Sequence, residues 1–117
     1  MVQTVICAKW GSRYPAAYVN CLLAMIRRNT KRDTRLVCYT DDPSGIHPDV
    51  ATYPMPVVAL PMSKANHPWR KVALWQEKLE GISGDVLFLD LDVVITGSMD
   101  DFFDFKPEST FCVIENW

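Results

Sequence analysis

Residues 86–95 read Val-Leu-Phe-Leu-Asp-Leu-Asp-Val-Val-Ile, an apolar run that two aspartates interrupt. The run at 86–89 predicts a buried β-strand, and Asp90 and Asp92 follow at its carboxyl end. Side chains alternate along a strand and each residue adds about 3.3 Å, so the two carboxylates would lie on one face with their backbones about 7 Å apart. The segment therefore predicts a strand that presents two acidic groups to one ligand.

The acidic pair Asp90 and Asp92 predicts a ligand that carries positive charge or hydrogen-bond donors. At an effective dielectric of about 20, two negative charges at this separation repel by roughly 2 to 3 kcal/mol. A divalent metal together with a phosphate would offset that cost. The alternative is that one aspartate caps the turn that follows and the other is solvated. Carboxylates surrounded by so much apolar sequence need a partner, and we therefore favour the ligand site.

The amino-terminal third of the chain predicts a strand-helix-strand unit. Residues 2–8 are apolar and β-branched enough for a strand that is buried on both faces, and residues 36–40 predict a second strand. Pro15 suits the first turn of the helix between them. One apolar stripe of this helix is formed by Tyr18, Leu22, Met25 and Ile26. Such a unit is the parallel crossover of an α/β fold, so we expect a mostly parallel sheet.

The middle of the chain is harder to assign, because six prolines fall between residues 43 and 68. They permit only short edge strands, near 51–53 and 57–60. A helix is predicted over 69–79, and Gly81 and Gly84 separate it from the acidic strand. The inward positions of that helix would be Trp69, Val72, Ala73 and Leu79.

Two short elements are predicted after the acidic strand, a helical turn over 99–105 and a strand over 110–114. The sequence then stops at Trp117, with no further element to cover that last strand. We therefore expect a fold that is incomplete at its carboxyl end.

Length and composition indicate one globular domain, residues 1–117, with 49% hydrophobic and 22% charged residues. Twelve basic and 14 acidic side chains give a net charge of −2, which does not suggest a nucleic-acid partner. A local basic cluster is best explained as a solvated helix end, and it consists of Arg27, Arg28, Lys31, Arg32 and Arg35. Neither G-x-x-x-x-G-K-[ST] nor G-x-G-x-x-G occurs, so a glycine-rich phosphate cradle is not predicted.

Cysteine usage and the amino terminus bear on location. The cysteines Cys7, Cys21, Cys38 and Cys112 form no C-x-x-C motif and have no histidine nearby, which predicts buried free thiols in a reducing compartment. Residues 1–8 lack a basic segment before the apolar stretch, and Lys9 ends that stretch. We therefore expect neither a signal peptide nor a transmembrane segment, and a cytoplasmic protein.

Three motifs carry a family resemblance: Cys38-Tyr39-Thr40-Asp41-Asp42, Trp69-Arg70-Lys71 and Phe88-Leu89-Asp90-Leu91-Asp92-Val93-Val94-Ile95. With the first strand and helix, they make the chain resemble the amino-terminal half of a GT-A-fold glycosyltransferase over essentially its whole length. The closest likeness is to bacterial nucleotide-diphospho-sugar transferases related to the glycogenin and lipopolysaccharide galactosyltransferase group. The resemblance implies a Rossmann-like, mostly parallel sheet with flanking helices. It also implies transfer of sugar from a nucleotide-diphosphate donor, a UDP-sugar, to a saccharide, lipid or protein acceptor.

The resemblance also implies roles for individual residues. Asp90 and Asp92 would hold Mn²⁺ or Mg²⁺ against the donor diphosphate, and Asp90 would also lie near the ribose. Lys71 would reach the phosphates or ribose, or it is simply an exposed lysine. The base pocket would include the end of the first strand, Ala8, Lys9 and Trp10, although Trp10 is equally consistent with a core position.

Several positions of the family pattern stay open. Asp41 or Asp42 would reach the base or ribose, but turn chemistry explains both residues as well. His47 and His67 match no family ligand and are interpreted as loop residues. The family's late histidine, its third protein ligand and its acceptor region would all follow Trp117. The resemblance thus predicts a donor-binding half that needs further chain for full transfer activity.

Two other functions are consistent with the acidic pair. In a haloacid-dehalogenase-type phosphatase Asp90 would be the nucleophile and Asp92 the general acid. Only 25 residues follow Asp92, too few for that family's remaining groups. The chain could instead be a non-catalytic nucleotide-binding or interaction fragment whose uncovered strand edge pairs with a partner subunit, giving an oligomer. Donor sugar, acceptor and stereochemical outcome are not determined by the sequence.

Overall fold

The computed structural model describes residues 2–56, 71, 73–76, 78–105 and 112–113. Its elements, in chain order, are β1 (Gln3–Lys9), α1 (Ala16–Arg28), β2 (Thr34–Thr40), β3 (Ala51–Pro54), β4 (Val86–Phe88) and α2 (Asp100–Asp104). Across these described ranges, neither helix is long and apolar enough to cross a membrane.

The four strands form one all-parallel sheet in the order β3-β2-β1-β4, which confirms the predicted α/β class. From β1 the chain moves outward through β2 to β3, and it then returns to add β4 on the other side of β1. The order of the strands therefore reverses between β1 and β4. In open α/β sheets the crevice at the carboxyl ends of two such strands is the usual ligand-binding position.

Strand β1 is buried at every residue, as predicted for its apolar and β-branched centre, and it also buries the polar Gln3 and Lys9 at its ends. In-register pairing with β2 sorts the central side chains onto two faces of the sheet. The face that packs against α1 carries Val5, Cys7, Leu36 and Cys38. The opposite face, where Leu74 packs, carries Ile6, Ala8, Val37 and Tyr39. The core thus lies on both sides of β1 and β2 and holds their carboxyl ends in place.

Helix α1 begins directly after Pro15, close to the predicted start, but its buried stripe differs from the predicted one. The buried side chains are Val19, Leu22, Leu23 and Ile26, at the spacing of one helical face. Tyr18 was predicted to face the core, yet it is exposed and its ring packs near Tyr14, with the ring centroids 5.0 Å apart. The reason is that Val19, one residue later, turns into the core and moves Tyr18 off the buried face.

The acidic strand is shorter and less buried than predicted. Strand β4 ends at Phe88, one residue before the predicted end, and Val86 is 38% exposed. Among the described strands β4 pairs only with β1, so it lies at an edge, where burial is incomplete. Asp90 and Asp92 consequently lie beyond the strand, in a turn, instead of alternating along it.

The helix predicted over 69–79 is not found in the described part of that segment. Lys71, Ala73 and Leu74 lie in a 3₁₀ turn, and the described residues from Trp75 to Leu79 are not helical, while Trp69 and Val72 lie outside the described residues. Ala73 and Leu74 are buried on the sheet all the same. Short helices are marginal alone, so here tertiary packing fixes the apolar residues in an irregular path.

The remaining predictions had mixed outcomes. An edge strand near 51–53 is confirmed as β3 and a helical turn over 99–105 as α2. The strand near 57–60 lies outside the described residues. Of the strand predicted over 110–114 the structure describes Cys112 and Val113, and neither is in a strand. Cys7 and Cys38 are buried free thiols as predicted, whereas the free thiols of Cys21 and Cys112 are exposed.

Four members of the basic cluster are exposed, as predicted, whereas Arg35 lies in β2 and is partly buried. Two of the exposed arginines pair with acidic groups. Arg27 contacts Asp49 at 2.5 Å, and Arg32 forms a two-bond pair with Asp104 at 2.7 and 2.8 Å.

Candidate functional site

The candidate site lies at the carboxyl edge of the sheet, between β1 and β4. Three segments meet there: the loop 10–14 that joins β1 to α1, the turn 89–92 after β4, and the residue Lys71. The turn 41–42 after β2 adjoins the loop. The strand order alone puts these segments at the place where α/β sheets bind ligands.

The acidic pair is positioned by the residue between its two members. The Leu89 N–H donates to the Ile6 carbonyl at 3.0 Å, which is the last bond between this segment and β1. Leu91 then inserts into the core below α1 and is only 7% exposed. Anchoring Leu91 leaves Asp90 and Asp92 on either side of it at the solvent edge. The predicted strand geometry of the pair is wrong, because Asp90 and Asp92 follow β4 instead of belonging to it.

Asp90 forms an ion pair with Lys71. The Lys71 Nζ also lies 5.7 Å from the centroid of the Phe88 ring. Both charged side chains are about a third to a half exposed, at 34% and 46%, so the pair is reachable by a ligand. The family resemblance places Lys71 beside the donor phosphates, and the structure brings it to the acidic pair.

Asp92 has a different partner, Tyr14, which the sequence analysis did not single out. The Tyr14 hydroxyl donates to Asp92 Oδ2 at 3.3 Å, a long hydrogen bond. The guanidinium of Arg13 lies over the Tyr14 ring, 5.6 Å from its centroid. An aromatic residue in a short loop at the end of a strand was the available signal. Tyr14 thus links the β1–α1 loop to the turn after β4.

Lys9 is the buried cation of the site. It ends β1 with only 7% of its surface exposed, and its Nζ donates to the Asp42 carbonyl at 3.4 Å. A buried ammonium is costly unless several acceptors surround it, and this single long bond satisfies one of its three donors. Within the described residues Lys9 therefore has capacity for further oxygen acceptors, as its predicted role in donor binding requires.

The turn after β2 is explained mainly by local chemistry. The Ser44 N–H donates to Asp42 at 3.0 Å, and this hydrogen bonding with Ser44 lowers the pKa of the Asp42 carboxyl. The Gly11 N–H donates to Asp41 Oδ2 at 3.0 Å, where Gly11 has a positive φ of 66°. Asp42 thus stabilises its own turn, and Asp41 holds the β1–α1 loop in place.

The other predicted positions lie beside the site. The Ala8 side chain is buried in the core face opposite α1, and Trp10 is half-buried against the same cluster. A ligand would therefore meet the backbone end of β1 rather than the Ala8 methyl group. His47 lies in a loop, where its Nδ1 accepts from the Asp49 N–H at 3.0 Å, as expected for a loop residue. His67 lies outside the described residues.

The oxygen groups of the acidic pair suit a hard cation such as Mg²⁺ or Mn²⁺. No group of three or more histidine, cysteine, aspartate or glutamate side chains able to hold a metal occurs in the part of the chain that the structure describes. The two carboxylates of the pair would fill part of a coordination sphere. Magnesium is commonly held in this way, by one or two carboxylates together with substrate phosphates and water.

Comparison with known proteins adds no assignment, because no protein-family model, curated protein or solved structure matches this chain. The fold is established as a four-stranded parallel sheet with flanking helices. The function is inferred from the residues at its carboxyl edge.

Proposed function

We propose that this chain is the donor-binding part of a metal-dependent glycosyltransferase of the GT-A type. It would transfer a sugar from a nucleotide-diphosphate donor, a UDP-sugar, to an acceptor. The observation that carries the proposal is the position of Asp90 and Asp92. They follow β4 at the point where the strand order reverses, and Tyr14 joins Asp92 to the loop after β1.

The chemistry of the acidic pair fits this reaction. Asp90 and Asp92 would hold Mn²⁺ or Mg²⁺, which when bound neutralises negative charge on the diphosphate leaving group. That charge increases as the bond to the sugar breaks, so its neutralisation favours the transition state over the ground state. The two carboxylates contribute by keeping two oxygen ligands at the mouth of the crevice, anchored through the buried Leu91.

The cations around the pair fit an anionic donor. Lys9 and Lys71 carry ammonium groups at this edge, and Arg13 lies on the exposed side of the loop, above Tyr14. A diphosphate carries enough charge to engage a metal and more than one of these groups. Phosphate oxygens or ribose hydroxyls would provide the acceptors that the buried Lys9 ammonium needs.

The proposal predicts that UDP and Mn²⁺ together stabilise the protein against thermal unfolding. A ligand at 100 times its dissociation constant adds about 2.7 kcal/mol to the free energy of unfolding. The effect should require both components, because the metal joins the diphosphate to the acidic pair. Thermal unfolding of the wild type is measured with UDP alone, Mn²⁺ alone and both.

Asp92→Ala and Asp85→Ala form a matched pair of variants for this experiment. Asp85 precedes β4 at the opposite edge of the sheet and is exposed, so its loss leaves the site intact. We expect the joint stabilisation to disappear in Asp92→Ala and to persist in Asp85→Ala. A wild type that gains nothing from UDP and Mn²⁺, or an Asp92→Ala variant that gains as much as the wild type, would contradict the proposal.

A further inference from the structure

Each aspartate of the acidic pair accepts a hydrogen bond from a side chain of this protein, and the two side chains come from different parts of the chain. Lys71 pairs with Asp90 across 19 residues of sequence, and Tyr14 donates to Asp92 across 78. Lys71 and Tyr14 reduce the repulsion between the two carboxylates when no ligand is bound. They do so with an ammonium and a hydroxyl, groups that a divalent cation can replace on a carboxylate oxygen.

This arrangement compensates part of the negative charge of the acidic pair. We propose that Lys71 and Tyr14 take the place of the divalent cation in the ligand-free protein, and that cation binding releases both. This inference rests on the proposed function and deepens it by assigning the regulation of the same site. The released Lys71 ammonium is then free to bind the donor phosphates, and the Tyr14 hydroxyl no longer occupies Asp92.

The positions of Tyr14 and Lys71 explain how the cation would influence nucleotide binding. Tyr14 lies in the loop that connects β1 to α1, and Arg13 rests on its ring. Lys71 lies in the 3₁₀ turn that is anchored by the buried Ala73 and Leu74. Binding of one cation to the acidic pair therefore changes the contacts of two segments that border the crevice. Cation and nucleotide binding would be positively coupled in consequence.

The first test is Mn²⁺ binding without nucleotide, measured by the electron paramagnetic resonance signal of free Mn²⁺. If Lys71 and Tyr14 compete with the cation for the carboxylates, removing either side chain strengthens Mn²⁺ binding. We expect Lys71→Met to bind Mn²⁺ about three- to fivefold more tightly and Tyr14→Phe about twofold more tightly, in line with the modest strength of partly exposed pairs. With Mn²⁺ saturating, Lys71→Met should bind UDP about tenfold more weakly, because a charge-assisted phosphate contact is lost.

Arg13→Met is the matched control for this test. Arg13 is a nearby cation whose described contact is the Tyr14 ring, so its loss changes the general electrostatic field without freeing a carboxylate. A gain in Mn²⁺ affinity in Lys71→Met that exceeds the gain in Arg13→Met supports direct competition. Equal gains in both variants, or weaker binding in Lys71→Met, would overturn the inference while the site itself stands. If the wild type binds no Mn²⁺ without nucleotide, the inference fails, whereas the proposed function is tested separately by the joint stabilisation with UDP and Mn²⁺.

A second measurement detects the release directly and requires no activity. The rate of acetylation of Lys71 by acetic anhydride, followed by mass spectrometry, should rise when Mn²⁺ is added, because the ammonium leaves its carboxylate. The exposed Lys31, at the amino edge of the sheet, should react at an unchanged rate. A Lys71 rate that stays constant or falls under saturating Mn²⁺ contradicts the release.

Discussion

The burial and hydrogen bonding of single residues in this sheet depend on the side chains around them. Lys9 is a charged side chain that is buried, and Leu91 is an apolar side chain whose burial positions Asp90 and Asp92. Tyr39 is a further case, on the core face opposite α1. Its ring is fully buried, and its hydroxyl donates to the Glu80 carbonyl at 2.6 Å.

Burial, with a smaller contribution from Tyr53, raises the pKa of Tyr39 to about 12. The ordinary pKa is 10.0, so the folded state favours the protonated phenol. The stability that Tyr39 contributes is therefore complete below pH 10 and is lost as the pH rises toward 12. Tyr39→Phe should cost about 1 kcal/mol near pH 8, because the Glu80 carbonyl loses its donor, and less at pH 11. Urea unfolding at the two pH values measures the difference.

The short connections between the elements decide which side chains reach the crevice. The β1–α1 loop is held by Asp41 and carries Tyr14, and a 3₁₀ turn carries Lys71. The connection into β4 contains Gly81 and Gly84, with φ values of 77° and 78°. This left-handed backbone is accessible to glycine and strained for residues with a Cβ atom.

Gly81 and Gly84 allow a matched comparison at this connection. A Cβ at Gly81 would overlap the ring of Tyr53, whereas a Cβ at Gly84 meets nothing within 4 Å. Gly84→Ala should cost about 1 kcal/mol of unfolding free energy from backbone strain alone. Gly81→Ala should cost about 1 to 3 kcal/mol more, because the Tyr53 ring must move. Chemical denaturation measures both variants. Equal costs would show that the Tyr53 ring yields freely.

At the scale of the whole molecule, the strand order β3-β2-β1-β4 creates one crevice at the carboxyl edge, while α2 is attached near the amino edge. Acidic side chains hold α2 there. Asp100 contacts the Thr30 hydroxyl, and Asp104 pairs with Arg32. Hydrogen bonds with Thr30 and with Arg32 lower the pKa of Asp100 and of Asp104, respectively.

The attachment of α2 should therefore depend on pH. A carboxyl with a lowered pKa contributes stability above its ordinary pKa, and this contribution is lost as the pH falls through the folded value. Acidification through that range should increase intrinsic-rate-corrected amide exchange in α2 before it affects β1. Asp104→Asn should produce the same loosening at neutral pH, and Asp101→Asn on the same helix should not. Uniform exchange across α2 and β1 at each pH would contradict a separate attachment.

Much of the local structure was predictable from local patterns. The apolar run 2–8 indicated a buried strand, Pro15 marked the start of α1, and the glycines 81 and 84 marked the connection into β4. The predictions were wrong where the local structure depends on contacts with residues far away in the sequence. Tyr18 follows the helical period but leaves the core, and residues 75–79 include apolar positions without a helix in their described part. At Tyr18 the buried position is taken by Val19, which packs in the core.

Hydrophobic period and local spacing are sufficient to predict the α/β class, the parallel crossover and two aspartates after an apolar strand. They do not predict that β4 adds beside β1, that Leu91 is buried between Asp90 and Asp92, or that Lys71 and Tyr14 are the partners of these aspartates. Contacts across 19 and 78 residues depend on strand order and core packing, which no local pattern contains.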